Sequence, residues 1–229
     1  MFFIHNSLFV GLFISLASYC IGLWLKKKTR SALANPLLIA IVLVIGFLLI
    51  TGIDYEVYKR GSSLLTYLLT PATICLAVPL YEEFEQLKRN YKAVLSGIAA
   101  GTLASLCCIL LLSIVLGLSH ESFVTLLPKS ITTAMGIGVS EELGGIVPVT
   151  VICIVITGVL GNVFAEQFLR LIRIKDPIAK GVAIGTSTHA VGTAKAMEMG
   201  NVEGAMSGLS IVVAGVLTVI GASLFALIF

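Results

Sequence analysis

Two segments of the chain place hydroxyl, basic and imidazole side chains among apolar residues and glycines. Residues 127–145 read LPKSITTAMGIGVSEELGG, and residues 176–200 read DPIAKGVAIGTSTHAVGTAKAMEMG. Hydroxyl groups donate hydrogen bonds to a carboxylate, and a lysine or a protonated histidine balances its charge. These side chains therefore predict a binding site for a small anion, formed by Lys129, Ser130, Thr132, Thr133, Thr186, Ser187, Thr188, His189, Thr193 and Lys195. Where two broken helices meet, their N-terminal amides would add to such a site.

The same side chains also have a structural interpretation. In a distorted helix, hydroxyls bond to backbone carbonyls that have lost their N–H partner, and a buried neutral histidine packs and hydrogen-bonds. For His189 we favour a ligand role, because imidazole titrates near neutrality and ionisable groups at membrane depth are usually functional. His189 and Glu141 are the candidates for carrying a coupling ion, H⁺ or Na⁺. The alternative for Glu141 is that it faces water beside a turn.

The composition predicts an integral membrane protein. Hydrophobic residues make up 58% of the 229 residues and charged residues 12%, against about 25% charged residues in soluble domains. We expect one membrane domain over residues 1–229, with N-terminal spans in 1–92 and both polar segments in 93–229. The net charge of +3 is spread over the loops, so it indicates membrane topology rather than nucleic-acid binding.

Six apolar stretches are long enough to cross a bilayer, which takes about 20 helical residues. They are residues 5–25, 36–53, 64–81, 93–118, 147–169 and 202–229. The first has no basic region and no cleavage pattern before it, so it is predicted to be a retained span and not a signal peptide. Four prolines are predicted to break helices: Pro71, Pro79, Pro128 and Pro177.

Basic residues set the orientation of these spans. They follow the first, third and fifth spans, at Lys26, Lys27, Lys28 and Arg30, at Lys88, Arg89 and Lys92, and at Arg170, Arg173, Lys175 and Lys180. The positive-inside rule puts all three groups in the cytoplasm. That holds if segment 127–145 enters and leaves on the outer side and segment 176–200 on the cytoplasmic side. The predicted fold is therefore an all-α membrane protein of about six transmembrane helices and two oppositely oriented re-entrant segments, an inverted arrangement found in transporters.

An enzyme is disfavoured. The chain has no GxSxG or HExxH motif, and Ser187 lies only two residues from His189, so the two side chains would leave one helix in different directions. The five cysteines lie in apolar runs without metal-binding spacing, which indicates packing residues. No cofactor or metal is predicted.

Four strings of the sequence resemble the LrgB/CidB family of bacterial membrane proteins. They are TPATICLAVPLY, PKSITTAMGIGVSEELGGI, DPIAKGVAIGTSTHAVGTAKA and EGAMSGL, at residues 70–81, 128–146, 176–196 and 203–209. The resemblance covers nearly the whole chain, and GTSTHAVGTAKA is highly specific. It implies a protein of the bacterial cytoplasmic membrane that controls murein hydrolases and cell lysis beside a small LrgA/CidA-type partner. It also implies transport of small monocarboxylates of the pyruvate, lactate or glycolate class.

One departure from the family bears on ion coupling. Relatives often read close to TTPIAxEIS where this chain has TTAMGIGVS, so that Ala134 replaces a proline and Gly138 an acidic residue. If that carboxylate couples transport to an ion, this chain lacks coupling or uses Glu141. Two functions remain open: a monocarboxylate transporter with an LrgA/CidA-type partner, and a non-transporting antiholin-like regulator. The small size favours a homodimer in the lipid bilayer.

Overall fold

The computed structural model describes residues 9–29, 35–75 and 77–229. Every regular element in these ranges is an α-helix, which confirms the predicted all-α class. The chain divides into two compact units, with the boundary after Cys75. The elements of each unit are described separately below.

The described residues of the first unit form four helices. They are α1 (Val10–Thr29), α2 (Pro36–Thr51), α3 (Tyr55–Gly61) and α4 (Ser63–Cys75). α2 begins where its cap signals predict, because Asn35 Oδ1 accepts the N–H groups of Leu37 and Leu38 before Pro36 takes the first turn. Pro71 lies inside α4, which continues to Cys75.

The second unit contains seven helices in its described residues. They are α5 (Ala77–Glu82), α6 (Phe84–Leu116), α7 (His120–Leu126), α8 (Thr133–Glu142), α9 (Val147–Leu171), α10 (Pro177–Met199) and α11 (Asn201–Ala226). Among the helices described in the whole chain, α1, α6, α9 and α11 are long and apolar enough to cross a membrane, and α2 is a shorter apolar helix. These helices support a membrane protein, while the predicted total of six spans stays a prediction.

One helix extends beyond its predicted span. The fourth span is predicted from residue 93, and α6 begins at Phe84, so Lys88, Arg89 and Lys92 lie in a helix that precedes the span and not in a loop. Lysine and arginine are good helix formers, and these three are exposed to solvent, where their charge costs little. Within the predicted span 64–81, the described residues form α4 up to Cys75 and α5 from Ala77, and Pro79 lies within α5.

The first polar segment contributes to a pair of short helices. Thr150 of α9 donates from Oγ1 to the carbonyl of Thr125 at 2.9 Å, and its Oγ1 lies 2.8 Å from Ser140 Oγ. Gly136, one turn before Ser140, faces Ile154, one turn beyond Thr150. α8 therefore runs antiparallel to α9. We call residues 120–142 the first hairpin; its two arms are α7 and α8, and its tip is residues 127–132.

Apolar side chains hold the first hairpin in place. Phe123, Leu127 and Ile131 are at most 1% exposed and pack in one cluster with Leu106 of α6 and Ala222 of α11. In a membrane, such side chains hold helices together by close van der Waals packing, because the lipid is as apolar as they are. The polar tip is thus fixed by its apolar neighbours in the sequence.

The second polar segment is a helix that changes direction once. Asp176 Oδ1 caps it by accepting the N–H of Ala179, and Pro177 occupies its first turn, so Pro177 starts α10 where it was predicted to break a helix. Inside α10, His189 has φ 45° and ψ −148°, a combination outside the α-helical region. Two arms, residues 177–188 and 190–199, meet at this residue.

Contacts with α11 give the direction of each arm. Gly181 lies against Glu203 and Gly185 against Ser207, so the first arm runs parallel to α11. Thr193 also contacts Ser207, with Oγ atoms 2.7 Å apart. In an uninterrupted helix, position 193 would lie about 12 Å beyond position 185. The second arm therefore runs back along α11, and we call α10 the second hairpin, with its tip at His189.

The two hairpins approach α9 from opposite ends. The open end of the first lies at the start of α9, because α8 ends at Glu142 and α9 begins at Val147. The open end of the second lies where α9 finishes, which we call the basic end because Arg170, Arg173 and Lys175 follow there. Both hairpins reach Ile154, whose side chain faces Gly136 of the first hairpin and whose carbonyl contacts the tip of the second.

Candidate functional site

A cavity of about 870 Å³ lies between α6, the tip of the first hairpin and the first arm of the second. We call it the central cavity. It is lined mainly by small and apolar residues, with polar side chains at Asn90, Ser105, Lys129, Ser130, Asp176, Thr186 and Ser187. Its size falls within the range of about 300–1,000 Å³ that is typical of ligand sites. Four predicted ligand residues therefore come together here: Lys129, Ser130, Thr186 and Ser187.

Lys129 provides the positive charge of the central cavity. Its ammonium donates to Ser130 Oγ at 3.0 Å, and Ser130 Oγ lies 3.4 Å from Ser105 Oγ on α6. The ion pairs found among the described residues do not include Lys129. Asp176 lines the same cavity but is not within ion-pair distance of Lys129. A half-buried cation without a carboxylate at that distance favours an anionic ligand.

The hydroxyls of the second hairpin are engaged with its own backbone. Thr186 Oγ1 donates to the carbonyl of Val182 at 2.7 Å, and Ser187 Oγ to that of Ala183 at 2.7 Å. Their protons are thus used in this conformation, as the structural interpretation of these residues expects. The donors facing an anion in the central cavity are those of Lys129 and Ser130.

His189 faces α9 and does not line the central cavity. It is 4% exposed, and its Nε2 donates to the carbonyl of Ile154 at 3.0 Å, because a carbonyl oxygen can only accept. Its ring packs on Gly158, where a Cβ would lie 2.7 Å from Cε1. The structure gives His189 a positioning contact at the tip; its predicted roles in substrate binding and ion coupling stay predictions.

Thr188 and Thr193 also face away from the central cavity. Thr188 Oγ1 donates to Ile184 O at 2.7 Å, and its side chain lies against Gly161 of α9. Thr193 Oγ1 donates to the carbonyl of His189 at 3.0 Å, besides its contact with α11. These two residues, which were predicted to bind substrate, satisfy backbone and side-chain groups around the break in α10.

Asn162 is a contact residue that sequence reasoning missed. Its Nδ2 donates to the carbonyl of Val191 at 2.7 Å, just beyond the tip of the second hairpin, where the helical bonding pattern is interrupted. The sequence does contain a signal for this residue, namely an amide side chain in the middle of an apolar helix. Such a group usually satisfies a backbone partner when it is buried.

Lys195 lies at the basic end and not in the central cavity. Its Nζ is 3.0 Å from Glu166 Oε2 and 3.3 Å from Glu198 Oε2. Glu166 also pairs with Arg170, at 3.0 Å. Because two carboxylates already neighbour the ammonium group, Lys195 joins the second arm of the hairpin to α9, and the geometry gives no support to its predicted substrate contact.

The remaining predicted residues of the first hairpin do not line the central cavity. Thr132 is the residue before α8 and makes no side-chain capping bond, and Thr133 begins that helix. Pro128 lies in the tip, two residues after α7 ends. Glu141 is exposed in the last turn of α8, near the start of α9, so the structure places it apart from Lys129.

The tips join helix ends of opposite polarity. In each hairpin, the carboxyl end of one arm meets the amino end of the next. Their partial charges have opposite signs and largely offset each other. The expected convergence of N-terminal amides is therefore balanced by nearby carbonyls, and Lys129 is the cation that lines the central cavity.

Comparisons with known proteins agree on one family. Residues 15–228 match the sequence model of the LrgB-like family. The chain is 38% identical over 213 residues to "Antiholin-like protein LrgB" of Bacillus subtilis (strain 168), an alignment that covers 93% of this chain and 92% of the relative. No solved structure gives a significant match. The family match and the relative both extend over nearly the whole sequence, and the chain therefore belongs to the LrgB-like family.

Proposed function

We propose that this protein is an antiholin-like membrane protein that regulates murein hydrolase activity and cell lysis. The full-length similarity to a relative named antiholin-like supports this function more directly than it supports transport. The four long apolar helices of the described residues agree with a location in the bacterial cytoplasmic membrane. An LrgA/CidA-type partner and a homodimer belong to this proposal.

The geometry favours a second function, the binding and transport of a small monocarboxylate of the pyruvate, lactate or glycolate class. The observation that carries it is Lys129, a cation in the central cavity without an ion pair in the described chain. A protein that needed only packing at this point would avoid a cation, because burying an unpaired charge costs several kcal/mol. A bound carboxylate would accept from Lys129 Nζ and Ser130 Oγ, with its small apolar end toward Gly101 and Val182.

Transport requires the hairpins to be re-entrant, and we propose that each enters the membrane from its own side. The first arm of the second hairpin has 12 residues and a length of about 18 Å. That exceeds half of a hydrocarbon core of about 30 Å. Entering from the cytoplasm at the basic end, its tip would reach the middle of the bilayer and meet the first hairpin at Ile154. A coupling ion, H⁺ or Na⁺, belongs to this second proposal.

Uptake of labelled pyruvate into liposomes tests transport. The protein is reconstituted alone and with an LrgA-type partner, as wild type, as Lys129→Met and as Lys88→Met. Methionine keeps the length of lysine without its charge, and Lys88 is exposed on α6 outside the central cavity. Saturable uptake that Lys129→Met abolishes and Lys88→Met retains would support a carrier. Absence of uptake of pyruvate, lactate and glycolate in both settings would refute it.

The regulatory function is tested in cells that produce the same variants in place of the wild-type protein. Murein hydrolase activity and lysis are measured in each strain. An antiholin-like regulator should lower both relative to cells without the protein. If lysis control persists in Lys129→Met cells while uptake is lost, regulation does not need the central cavity. If the protein changes neither hydrolase activity nor lysis, the regulatory proposal is wrong.

A further inference from the structure

A second cavity of about 470 Å³ lies at the basic end, between the end of α9, both arms of the second hairpin and the start of α11. We call it the end cavity. Five basic and three acidic side chains line it. Neither the transport nor the regulatory proposal gives it a role.

All three carboxylates of the end cavity are already paired. Glu166 and Glu198 neighbour Lys195 at 3.0 and 3.3 Å. Glu203, whose side chain is 11% exposed, lies 3.8 Å from the ammonium of Lys180. The three acidic groups of the end cavity thus pair with cations of the helices. The carboxylate within the turn that joins α9 to α10, Asp176, caps α10 and does not line this cavity.

That turn carries two further cations, Arg173 and Lys175. Both are exposed and line the end cavity. Neither belongs to an ion pair among the residues that the structure describes. The cavity therefore has two positive charges in excess, on adjacent sides of one short turn.

The backbone of Arg173 gives an independent indication that its side chain is needed. Its φ is 61°, the left-handed conformation. Its N–H donates to Arg170 O at 3.1 Å and that of Ile174 to Leu169 O at 2.9 Å, which closes α9 as a Schellman turn. Glycine is the favoured residue there, since a side chain at this position is strained. A strained residue at a cavity indicates a function for its side chain.

We propose that the end cavity binds a phosphate group, either of an anionic phospholipid headgroup or of a free phosphate compound. Guanidinium matches two phosphate oxygens at once, and a lysine adds a compact charge. The turn lies at the end of the membrane-spanning helix α9, the level at which lipid phosphates are found, and basic pockets between helices bind such headgroups. Arg173 and Lys175 are the ligands, with Lys180 at the inner wall.

Binding to the purified full-length protein in zwitterionic detergent tests the proposal. The probes are a short-chain phosphatidylglycerol, the matching phosphatidylcholine and inorganic phosphate, each titrated against wild type, Arg173→Gln, Arg173→Gly and Arg89→Gln. Both changes at Arg173 should weaken phosphatidylglycerol binding by about five- to tenfold, and the exposed Arg89 on α6 should contribute nothing. Arg173→Gly should be at least as heat-stable as wild type, which excludes unfolding as the cause.

The outcomes separate the two sources of phosphate. Saturable binding of phosphatidylglycerol that inorganic phosphate does not displace would assign the cavity to a lipid headgroup. Binding of inorganic phosphate that is lost in both Arg173 variants would assign it to a free phosphate compound. The proposal is overturned if neither probe binds, if the Arg173 variants bind like wild type, or if Arg89→Gln weakens binding as much as they do.

Discussion

Replacing His189 with glycine should leave the protein more stable than replacing it with alanine. Both changes remove the bond from Nε2 to Ile154 O, which contributes about 0.5–1.5 kcal/mol, and both remove the ring packed on Gly158. Only alanine keeps a Cβ at φ 45°, ψ −148°. Such a conformation costs a residue other than glycine about 1–3 kcal/mol, while the greater unfolded-state freedom of glycine costs about 0.4–1 kcal/mol. The free energy of unfolding of the glycine variant should therefore exceed that of the alanine variant by about 1–2 kcal/mol.

The assay is equilibrium unfolding in mixed micelles, followed through the reactivity of a single cysteine at Cys153. This residue is half-buried on α9 next to Ile154, whereas Trp24 lies on α1 in the first unit and would report on the other part of the chain. Ser187 provides the control, because it has ordinary helical geometry in the same arm. At position 187, the alanine variant should be more stable than the glycine variant by about 1 kcal/mol. An alanine variant at position 189 as stable as the glycine variant would refute the strained tip.

Two further predictions concern the contacts of the second hairpin. Lys195→Met and Glu166→Gln should each destabilise the protein. In a double-mutant cycle their coupling energy should be about 0.5–1 kcal/mol, because the 3.0 Å pair is partly exposed. Additive effects of the two changes would contradict the pairing. Gly158→Ala should cost about 1–3 kcal/mol in thermal or denaturant unfolding, since its Cβ would meet the ring of His189. Gly138→Ala on α8, where nothing lies within 4 Å, should instead add up to about 1 kcal/mol.

The location of both hairpins could be predicted from the sequence, because their polarity and glycine content are unsuited to a plain span. The start of α10 also has a local signal in the sequence, since Asp176 and Pro177 match a cap and a first turn, but Pro177 was interpreted as a helix break. Signals of this kind depend on neighbours within one helical turn. The cavity residues Lys129 and Ser130 were found in the same way, as adjacent polar residues in an apolar segment.

The sequence could not show which side chains of the second hairpin line the central cavity and which make packing contacts with neighbouring helices. The partner of His189 is a backbone carbonyl 35 positions away. Every residue has such a carbonyl, so the sequence does not indicate which one the histidine will contact. Lys195 was predicted to meet substrate because its carboxylate partner, Glu166, lies on another helix. Which hydroxyls face the central cavity depends on how each arm is rotated, and periodicity is weak where Thr186, Ser187 and Thr188 follow one another.

The contacts of α9 have a consequence for how this protein can evolve. Thr150 and the side chain of Ile154 contact the first hairpin. The second hairpin is contacted by Gly158, Asn162 and Glu166, and also by the carbonyl of Ile154. One residue inserted between Ile154 and Gly158 would turn the second group by about 100° and move it by about 1.5 Å relative to the first. Related chains should thus tolerate substitutions in α9 but no change in its length, and insertions or deletions should accumulate in the surface turns that join the helices.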